Sequence, residues 1–252
     1  MPRVSRGNFW PIMNKTYFIA DLHLSDDTSL INQGFFTFLD KLQQNAKSVD
    51  ALYILGDFFE AWIGDDNHTT LNQKVAYELN KLSQAGIKLF FTHGNRDFLI
   101  KKHYAKACNM TLLPEQTVID LYGTPTLICH GDELCTDDIE YQKFRKKSRS
   151  WWWQSLMLNL PLSFRQKKAA KIRAHSKQSK KMKSLAIMDV NEQTVSEYFT
   201  KFDVSQMIHG HTHRPNVHNY NNKTRYVLGD WYTDLWYIEA SQQGIKLISE
   251  PL

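Results

Sequence analysis

The chain is poor in cysteine and has no long apolar run. Its three cysteines, Cys108, Cys129 and Cys135, are odd in number and lack metal-ligand pairing, so we expect no disulfide framework and a reducing cytoplasm. No apolar stretch approaches the roughly 20 residues that a membrane-spanning helix needs, and none near the N-terminus has signal-peptide length. With 42% hydrophobic and 23% charged residues, the composition is typical of a soluble globular protein.

Acidic residues are absent from one long segment. Positions 143–183 contain 14 Lys or Arg and no Asp or Glu, whereas the rest of the chain has 17 basic and 26 acidic residues. The positive net charge of +5 therefore arises from this segment, because the rest of the chain has more acidic than basic residues. Such a block attracts nucleic acid, a phosphorylated substrate or an anionic lipid surface. A solvated helix face is the alternative, but the complete lack of acids favours a function.

Short apolar runs alternate with amphipathic segments along most of the chain. Alternation of this kind predicts an α/β fold with a largely parallel sheet covered by helices. The predicted strands cover 17–20, 51–55, 87–92, 126–129 and 206–208, the predicted helices cover about 30–46 and 70–85, and short strands follow 217. We expect one domain over 14–252, with 1–13 as an N-terminal extension.

The basic segment interrupts this alternation. Residues about 138–185 predict several helices, with a break at Pro161, and we expect a helical insertion that caps the functional face. It contains three consecutive tryptophans, 151–153, and an apolar run over 156–162. Aromatic residues beside cations are typical of a membrane interface or an acyl-chain groove. A helical hairpin that buries these residues against itself remains an equal alternative.

Polar side chains follow the predicted strands at the points where they end. In parallel α/β sheets the carboxyl ends of strands form the ligand crevice, so five separate motifs can converge there. Asp21 and His23 are two residues apart, as are His211 and His213, so in extended chain the two side chains of each pair would point to one side. The proposed metal ligands in these motifs are Asp21, His23, Asp57, Asn95, His130, His211 and His213.

This ligand set predicts a centre for two divalent cations. Asp, Asn and His together suit Mn, Fe or Zn and disfavour thiolate-preferring metals. Two such cations can clamp the attacking and leaving oxygens of a phosphate-ester cleavage and lower the pKa of a shared water. One carboxylate must bridge them, and we assign that role to Asp57. The remaining histidines are expected to be structural, although His209 lies beside the ligand pair.

The motifs D-x-H, G-D, G-N-R-D, H-G-D and G-H-T-H occur in this order, and the chain thereby resembles the calcineurin-like metallophosphoesterases. The resemblance covers nearly the whole sequence and implies a sandwich of mixed sheets flanked by helices, with a helical insertion over the active site. The longer stretches 53–66, 93–99, 130–138, 184–191 and 208–215 are similar to one branch of that family, the diphosphatases of bacterial lipid A biosynthesis.

The resemblance implies two Mn²⁺ ions per chain. One ion would be bound by Asp21, His23, Asp57 and His213, and the other by Asp57, Asn95, His130 and His211. The catalytic residues would be Asn95, Arg96, His130 and Asp57. The substrate contacts would be Asn95, Arg96, Asp138, Ser176, Lys180, Lys183 and His211.

The same resemblance implies the reaction and its location. Water would attack the uridine-side phosphorus of UDP-2,3-diacylglucosamine and release UMP and 2,3-diacylglucosamine 1-phosphate. The insertion would hold the acyl chains, and the protein would be a monomer placed peripherally on the cytoplasmic face of the bacterial inner membrane. No nucleic acid would bind.

Arg96 agrees with a diphosphate substrate on chemical grounds. Arginine stays protonated and is a poor proton donor, but it binds phosphate bidentately. A phosphate leaving from a diphosphate needs no proton, unlike a simple alcohol. Two alternatives remain open: a metal-dependent nuclease of the same superfamily, whose basic segment would follow a nucleic-acid backbone, and a metal-free scaffold with this fold.

Overall fold

The structure, a computed structural model, describes residues 14–182 and 189–252, with side chains over 14–174 and 189–252. The predicted substrate contacts Ser176, Lys180 and Lys183 lie outside the described side chains. None of the helices in the described ranges combines the length and the apolar character needed to cross a bilayer.

A six-stranded sheet contains the first predicted strands. Its strands are β1 (Lys15–Ile19), β2 (Val49–Ile54), β3 (Lys88–Phe91), β4 (Thr111–Leu112), β10 (Asp234–Ser241) and β11 (Gly244–Pro251). Their order is β11-β10-β1-β2-β3-β4. The four strands β1-β2-β3-β4 are parallel, while β10 pairs antiparallel with both β1 and β11.

A second sheet has five strands, which are β5 (Gln116–Leu121), β6 (Thr124–Cys129), β7 (Gln206–His209), β8 (Asn216–Tyr220) and β9 (Lys223–Val227). Their order is β5-β6-β7-β9-β8. Here β7 lies between two parallel neighbours, and the outer pairs are hairpins.

Helices cover the outer faces of the two sheets. The amphipathic helices α1 (Ser29–Gln44) and α2 (Thr70–Gln84) bury their apolar faces against the first sheet. The short helix α3 (Lys102–Ala107) packs against the same core. The helix α7 (Glu192–Lys201) does the same on the second sheet. Between the sheets lies a third apolar layer, which includes Phe18, Leu55, Ile128, Ile208 and Ile238.

This arrangement is the expected sandwich of mixed sheets flanked by helices. The simpler expectation of one largely parallel sheet was wrong. Strands that helices connect pair in parallel, and so do β7 and β9, which are connected through β8. The C-terminal hairpin instead adds antiparallel to the free edge of β1, and hairpins close both ends of the second sheet.

The basic segment forms three helices, α4 (Ile139–Ser148), α5 (Trp151–Leu158) and α6 (Leu162–Met182). The expected break at Pro161 separates the last two. Trp153 and Met157 are buried and belong to the apolar core of the first sheet, whereas Trp151 is 81% exposed and Trp152 is 50% exposed. One face of α5 is therefore buried and the other faces solvent. Neither the exposed interface nor the fully buried hairpin that the sequence suggested describes the whole helix.

Candidate metal centre

The seven proposed ligands lie in loops that directly follow β1, β2, β3, β6 and β7. Five of them have a positive φ, between 49° for Asp57 and 69° for His211. Backbone of this kind is strained for residues other than glycine and clusters at functional sites. The sequence argument from extended chain was therefore wrong for Asp21 and His23, since both lie beyond the last residue of β1 with φ of 57° and 55°.

One group of ligand atoms comes from the loops after β1 and β7. Asp21, His23 and His213 each place a ligand atom within 4.8 Å of the others. The Nε2 atoms of the two histidines face each other at 3.4 Å, and His213 Nε2 lies 3.5 Å from Asp21 Oδ1. These three residues can converge on a single cation.

A second group lies beside the first. Asp21, Asp57 and His130 also place ligand atoms within 4.8 Å of one another, and His130 Nε2 lies 3.0 Å from Asn95 Oδ1. The ring of His211 packs 5.0 Å from that of His130, centroid to centroid. Because Asp21 belongs to both groups, the bridging role of Asp57 stays a prediction.

Glycine allows the loops after β2 and β3 to approach each other. A Cβ on Gly94 would lie 2.1 Å from the backbone nitrogen of Asp57, so any side chain there would separate the two loops. The buried Asp97 holds the same junction, because its two oxygens accept hydrogen bonds from Phe58 N at 2.7 Å and Gly94 N at 2.8 Å. Asp97, the last residue of the G-N-R-D motif, thus holds the two loops together.

Two of the histidines, His130 and His213, present Nε2 to the centre because Nδ1 has a close partner elsewhere. His130 Nδ1 lies 2.8 Å from the carbonyl oxygen of Leu55, and His213 Nδ1 lies 2.6 Å from Asp230 Oδ2. Hydrogen-bond partners of this kind fix the tautomer and the ring orientation of a metal ligand. His23 Nδ1 lies 3.7 Å from Glu60 Oε2, a distance within the range of an ion pair but too long for a hydrogen bond.

Asp230 and Glu60 also border this site, although the sequence motifs did not predict either of them. Glu60 lies within the stretch 53–66, which carried part of the family resemblance, but nothing in the sequence indicated its role in the site. Asp230 lies in the loop between β9 and β10. Glu60 lies beside His23 and Asp230 lies beside His213, and each pair is close in space but separated along the chain.

The electrostatics of the site favour a cation. Asp21 and Asp57 are almost completely buried, and burial together with the charge of Asp21 raises the pKa of Asp57, despite opposition from His130 and Arg96. Asp21 Oδ1 is buried without a hydrogen-bond donor. Burying two carboxylates this close is costly unless positive charge compensates them, so the residues fit a divalent metal.

Arg96 lies between the ligands and the insertion. Its backbone N donates to Asp57 Oδ1 at 2.8 Å, its Nε is 3.4 Å from Asp57 Oδ2, and its Nη1 pairs with Glu60. Burial lowers the pKa of Arg96, but Asp57 and Glu60 outweigh it and raise the pKa above the ordinary value. The guanidinium is thus a fixed positive charge beside the centre.

Helix α4 is attached to the H-G-D loop by a buried charge network. Asp132 accepts hydrogen bonds from Tyr141 at 2.5 Å and from Arg145 at 2.9 Å, and Arg149 Nη2 donates to the carbonyl oxygen of Gly94 at 2.9 Å. The Tyr141 ring also stacks on His211 with centroids 5.9 Å apart. The insertion therefore begins directly against two ligand loops.

Two further sequence expectations concern Asp138 and His209. Asp138, predicted to contact substrate, is the N-cap of α4 and accepts from Tyr141 N at 3.1 Å. His209 is fully buried, with Nδ1 2.8 Å from the Gly210 carbonyl oxygen and Nε2 3.3 Å from Arg225. Its surroundings indicate a structural residue.

The chain is similar to known proteins over most of its length. The family model for calcineurin-like phosphoesterase matches residues 15–215. The protein named UDP-2,3-diacylglucosamine hydrolase from Histophilus somni (strain 129Pt) is 48% identical, covering 94% of this chain and 100% of that protein. The protein of the same name from Pasteurella multocida (strain Pm70) is 51% identical, covering 92% and 96%.

A solved structure shares the fold at low identity. Vacuolar protein sorting 29 from Cryptosporidium parvum superposes with a TM-score of 0.50 and 12% identity, covering 95% of this chain and 92% of that one. Since the family model spans most of the chain and the relatives are about half identical over nearly their whole length, the chain belongs to the calcineurin-like phosphoesterase family and is a hydrolase that acts on phosphate bonds.

Proposed function

We propose that the protein hydrolyses the diphosphate bond of UDP-2,3-diacylglucosamine, with water attacking the uridine-side phosphorus, and releases UMP and 2,3-diacylglucosamine 1-phosphate. The observation that carries this proposal is the name shared by relatives that are 48% and 51% identical over more than nine-tenths of the chain. The product lipid belongs to lipid A biosynthesis.

Two Mn²⁺ ions complete the site in this proposal. Asp21, His23, Asp57 and His213 would hold one, and Asp57, Asn95, His130 and His211 the other. When bound, such cations supply a hydroxide nucleophile near neutral pH and compensate charge on the phosphoryl oxygens. The buried carboxylates of Asp21 and Asp57 and the outward-held Nδ1 atoms support this assignment.

Arg96 and Asn95 position the diphosphate. Arg96 is held by Asp57 and Glu60, so its guanidinium can grip a phosphoryl oxygen with little loss of side-chain freedom. It supplies no proton to the leaving group. A leaving phosphate needs none, which is why this site suits a phosphoric anhydride better than an alkyl ester.

The segment of about 138–185 acts as a lid that holds the acyl chains. Its buried side, with Trp153 and Met157, joins the core of the first sheet, while Leu160 and Leu158 pack partly against the same cluster. Each buried CH₂ contributes about 0.8 kcal/mol, so two long chains supply ample binding energy. Cations of the same segment would meet the diphosphate.

The test of the reaction is hydrolysis of UDP-2,3-diacylglucosamine in ¹⁸O water with Mn²⁺, followed by mass spectrometry of both products. We expect label in UMP, and we expect UDP-N-acetylglucosamine, which lacks the acyl chains, to be turned over far more slowly. Label in the lipid phosphate would reverse the site of attack. Equal turnover of the two substrates would refute the acyl-binding lid.

The same preparation separates the alternatives. Faster cleavage of single-stranded DNA than of the lipid nucleotide would favour a nuclease. Near-zero Mn, Fe and Zn in the purified protein, with no turnover after Mn²⁺ is added, would favour a scaffold. Ligand-type side chains at all seven proposed positions support the enzyme.

The exposed face of the lid is our proposed contact with an anionic membrane surface, at the cytoplasmic side of the inner membrane. Trp151, Trp152 and Leu156 are 81%, 50% and 56% exposed on α5, and Phe164 is 48% exposed on α6. Exposed lysines follow on α6 at 167, 168 and 171. Apolar side chains bordered by cations are the combination that binds an anionic interface.

Replacing Trp151, Trp152 and Leu156 by Gln is expected to weaken binding to phosphatidylglycerol vesicles at least tenfold. Burial of one large apolar side chain is worth roughly 1.5–3 kcal/mol, and each 1.4 kcal/mol is a factor of ten. Vesicle sedimentation measures the change. The matched control replaces Leu30 and Tyr77, which are 71% and 67% exposed outside the lid; an equal loss there would contradict this contact face.

A further inference from the structure

Glu60 lies where the metal centre, Arg96 and the lid meet. Its side chain is 11% exposed, and its backbone N donates to the carbonyl oxygen of Leu24 at 3.0 Å, which holds it against the loop after β1. Oε2 pairs with Arg96 Nη1 and lies 3.7 Å from His23 Nδ1. Oε1 accepts a hydrogen bond from Arg173 Nη2.

The third partner belongs to helix α6 of the lid. Arg173 is 39% exposed, and its ion-pair partner among the described side chains is Glu60. About two helical turns earlier, Arg165 attaches the same helix to the core by donating to Asp66 and, at 2.6 Å, to the carbonyl oxygen of Ile63. Helix α6 therefore has two anchors, and the one formed by Arg173 ends on a residue of the site.

The three contacts of Glu60 depend on one another. A carboxylate between two guanidinium groups is held by both, and loss of either cation frees it to rotate toward the other. The oxygen that faces His23 Nδ1 is the oxygen that binds Arg96. A change at Arg173 on the lid can therefore reach the ring of a ligand histidine through this single side chain.

We propose that Glu60 is a positioning residue that couples lid docking to the metal centre: it orients His23 and Arg96 on one side and holds α6 through Arg173 on the other. Carboxylates behind ligand histidines change metal affinity about 10–100-fold when they are removed. The proposal uses the metal site proposed above but does not depend on which substrate is cleaved.

The experiment compares Glu60→Gln, Arg173→Gln and Asp66→Asn with the wild-type protein. Mn²⁺ affinity is measured by isothermal titration calorimetry, and hydrogen exchange of the α6 backbone is measured by mass spectrometry without metal. We expect Glu60→Gln to weaken Mn²⁺ binding on the order of tenfold and to raise exchange in α6. Arg173→Gln should do both as well, with a smaller change in affinity.

Asp66→Asn is the matched control, because it weakens the other anchor of α6 on a residue that is 59% exposed. It should raise α6 exchange and leave Mn²⁺ affinity unchanged. Coupling is overturned if Arg173→Gln changes exchange alone, like the control, or if Glu60→Gln changes affinity alone. Wild-type protein that binds no Mn²⁺ would instead overturn the metal site itself. Thermal unfolding of all variants without metal confirms that each is folded.

Discussion

Replacing Asp57 by Asn is expected to lower kcat for phosphate-bond hydrolysis about 10³-fold. The carboxylate is 2% exposed and shares its surroundings with Asp21 and His130 at ligand distances. A neutral amide of the same shape cannot compensate the charge of two cations, and several kcal/mol of transition-state stabilisation depend on that charge. Turnover of a chromogenic phosphodiester and metal content by mass spectrometry measure the two effects.

The same substitution is expected to leave the fold intact. Asp57 and Asp21 are like charges in a buried site, so removing one charge relieves repulsion in metal-free protein. The melting temperature measured with a chelator should therefore equal or exceed that of the wild type. This result would separate a lost site from a lost fold.

Asp120→Asn is the control for that experiment. Asp120 accepts a hydrogen bond from Gly123 N in the turn between β5 and β6, on an exposed hairpin. Its turnover and metal content should match the wild type. If the Asp57 variant kept turnover within tenfold and bound metal normally, the assignment of Asp57 as a shared ligand would be wrong.

The sequence predicts the parts of the fold that depend on local patterns. The first strand was expected at 17–20 and lies at Lys15–Ile19, and the helix expected at 70–85 is Thr70–Gln84. Apolar periodicity determines these elements within the range of a few residues. The ligand loops were found for the same reason, because each polar motif follows an apolar run that must be buried.

Long-range pairing has no such local signal. The addition of β10 to β1 joins residues more than 200 positions apart, and the division of the strands into two sheets depends on contacts of this kind. The roles of Glu60 and Asp230 were missed for the same physical reason. Asp and Glu are common on protein surfaces, so neither residue stands out in the sequence. Only folding brings each of them near the Nδ1 atom of a proposed ligand histidine.

The sequence also did not predict the backbone conformation at the site. The two D-x-H and H-x-H spacings suggested extended chain, but His23 and His213 both have a φ of 55°. A two-residue spacing can bring side chains together through left-handed turns as well as through a strand. Spacing therefore indicated the proposed ligands while giving the wrong local geometry.

Replacing Arg96 by His is expected to lower kcat/KM for the diphosphate substrate on the order of 100-fold. Arg96 holds a fixed positive charge between Asp57 and Glu60, and removal of one positioned donor to a developing charge typically costs 10²–10³-fold. Imidazole is shorter, lacks the planar fork and is largely neutral at pH 7. Kinetics with UDP-2,3-diacylglucosamine measure the loss.

The same substitution is also expected to change which leaving group the enzyme prefers. A histidine at position 96 could donate a proton to an alcohol leaving group, which Arg96 cannot. The ratio of kcat/KM for an alkyl phosphodiester to that for the diphosphate should therefore rise in the histidine variant. Arg96→Lys is the matched control, because it keeps the charge, loses the fork and gains no useful acid near neutral pH. It should lower diphosphate turnover without raising that ratio. Unchanged diphosphate turnover in the histidine variant would show that a fixed cation at this position is not what selects an anhydride over an ester.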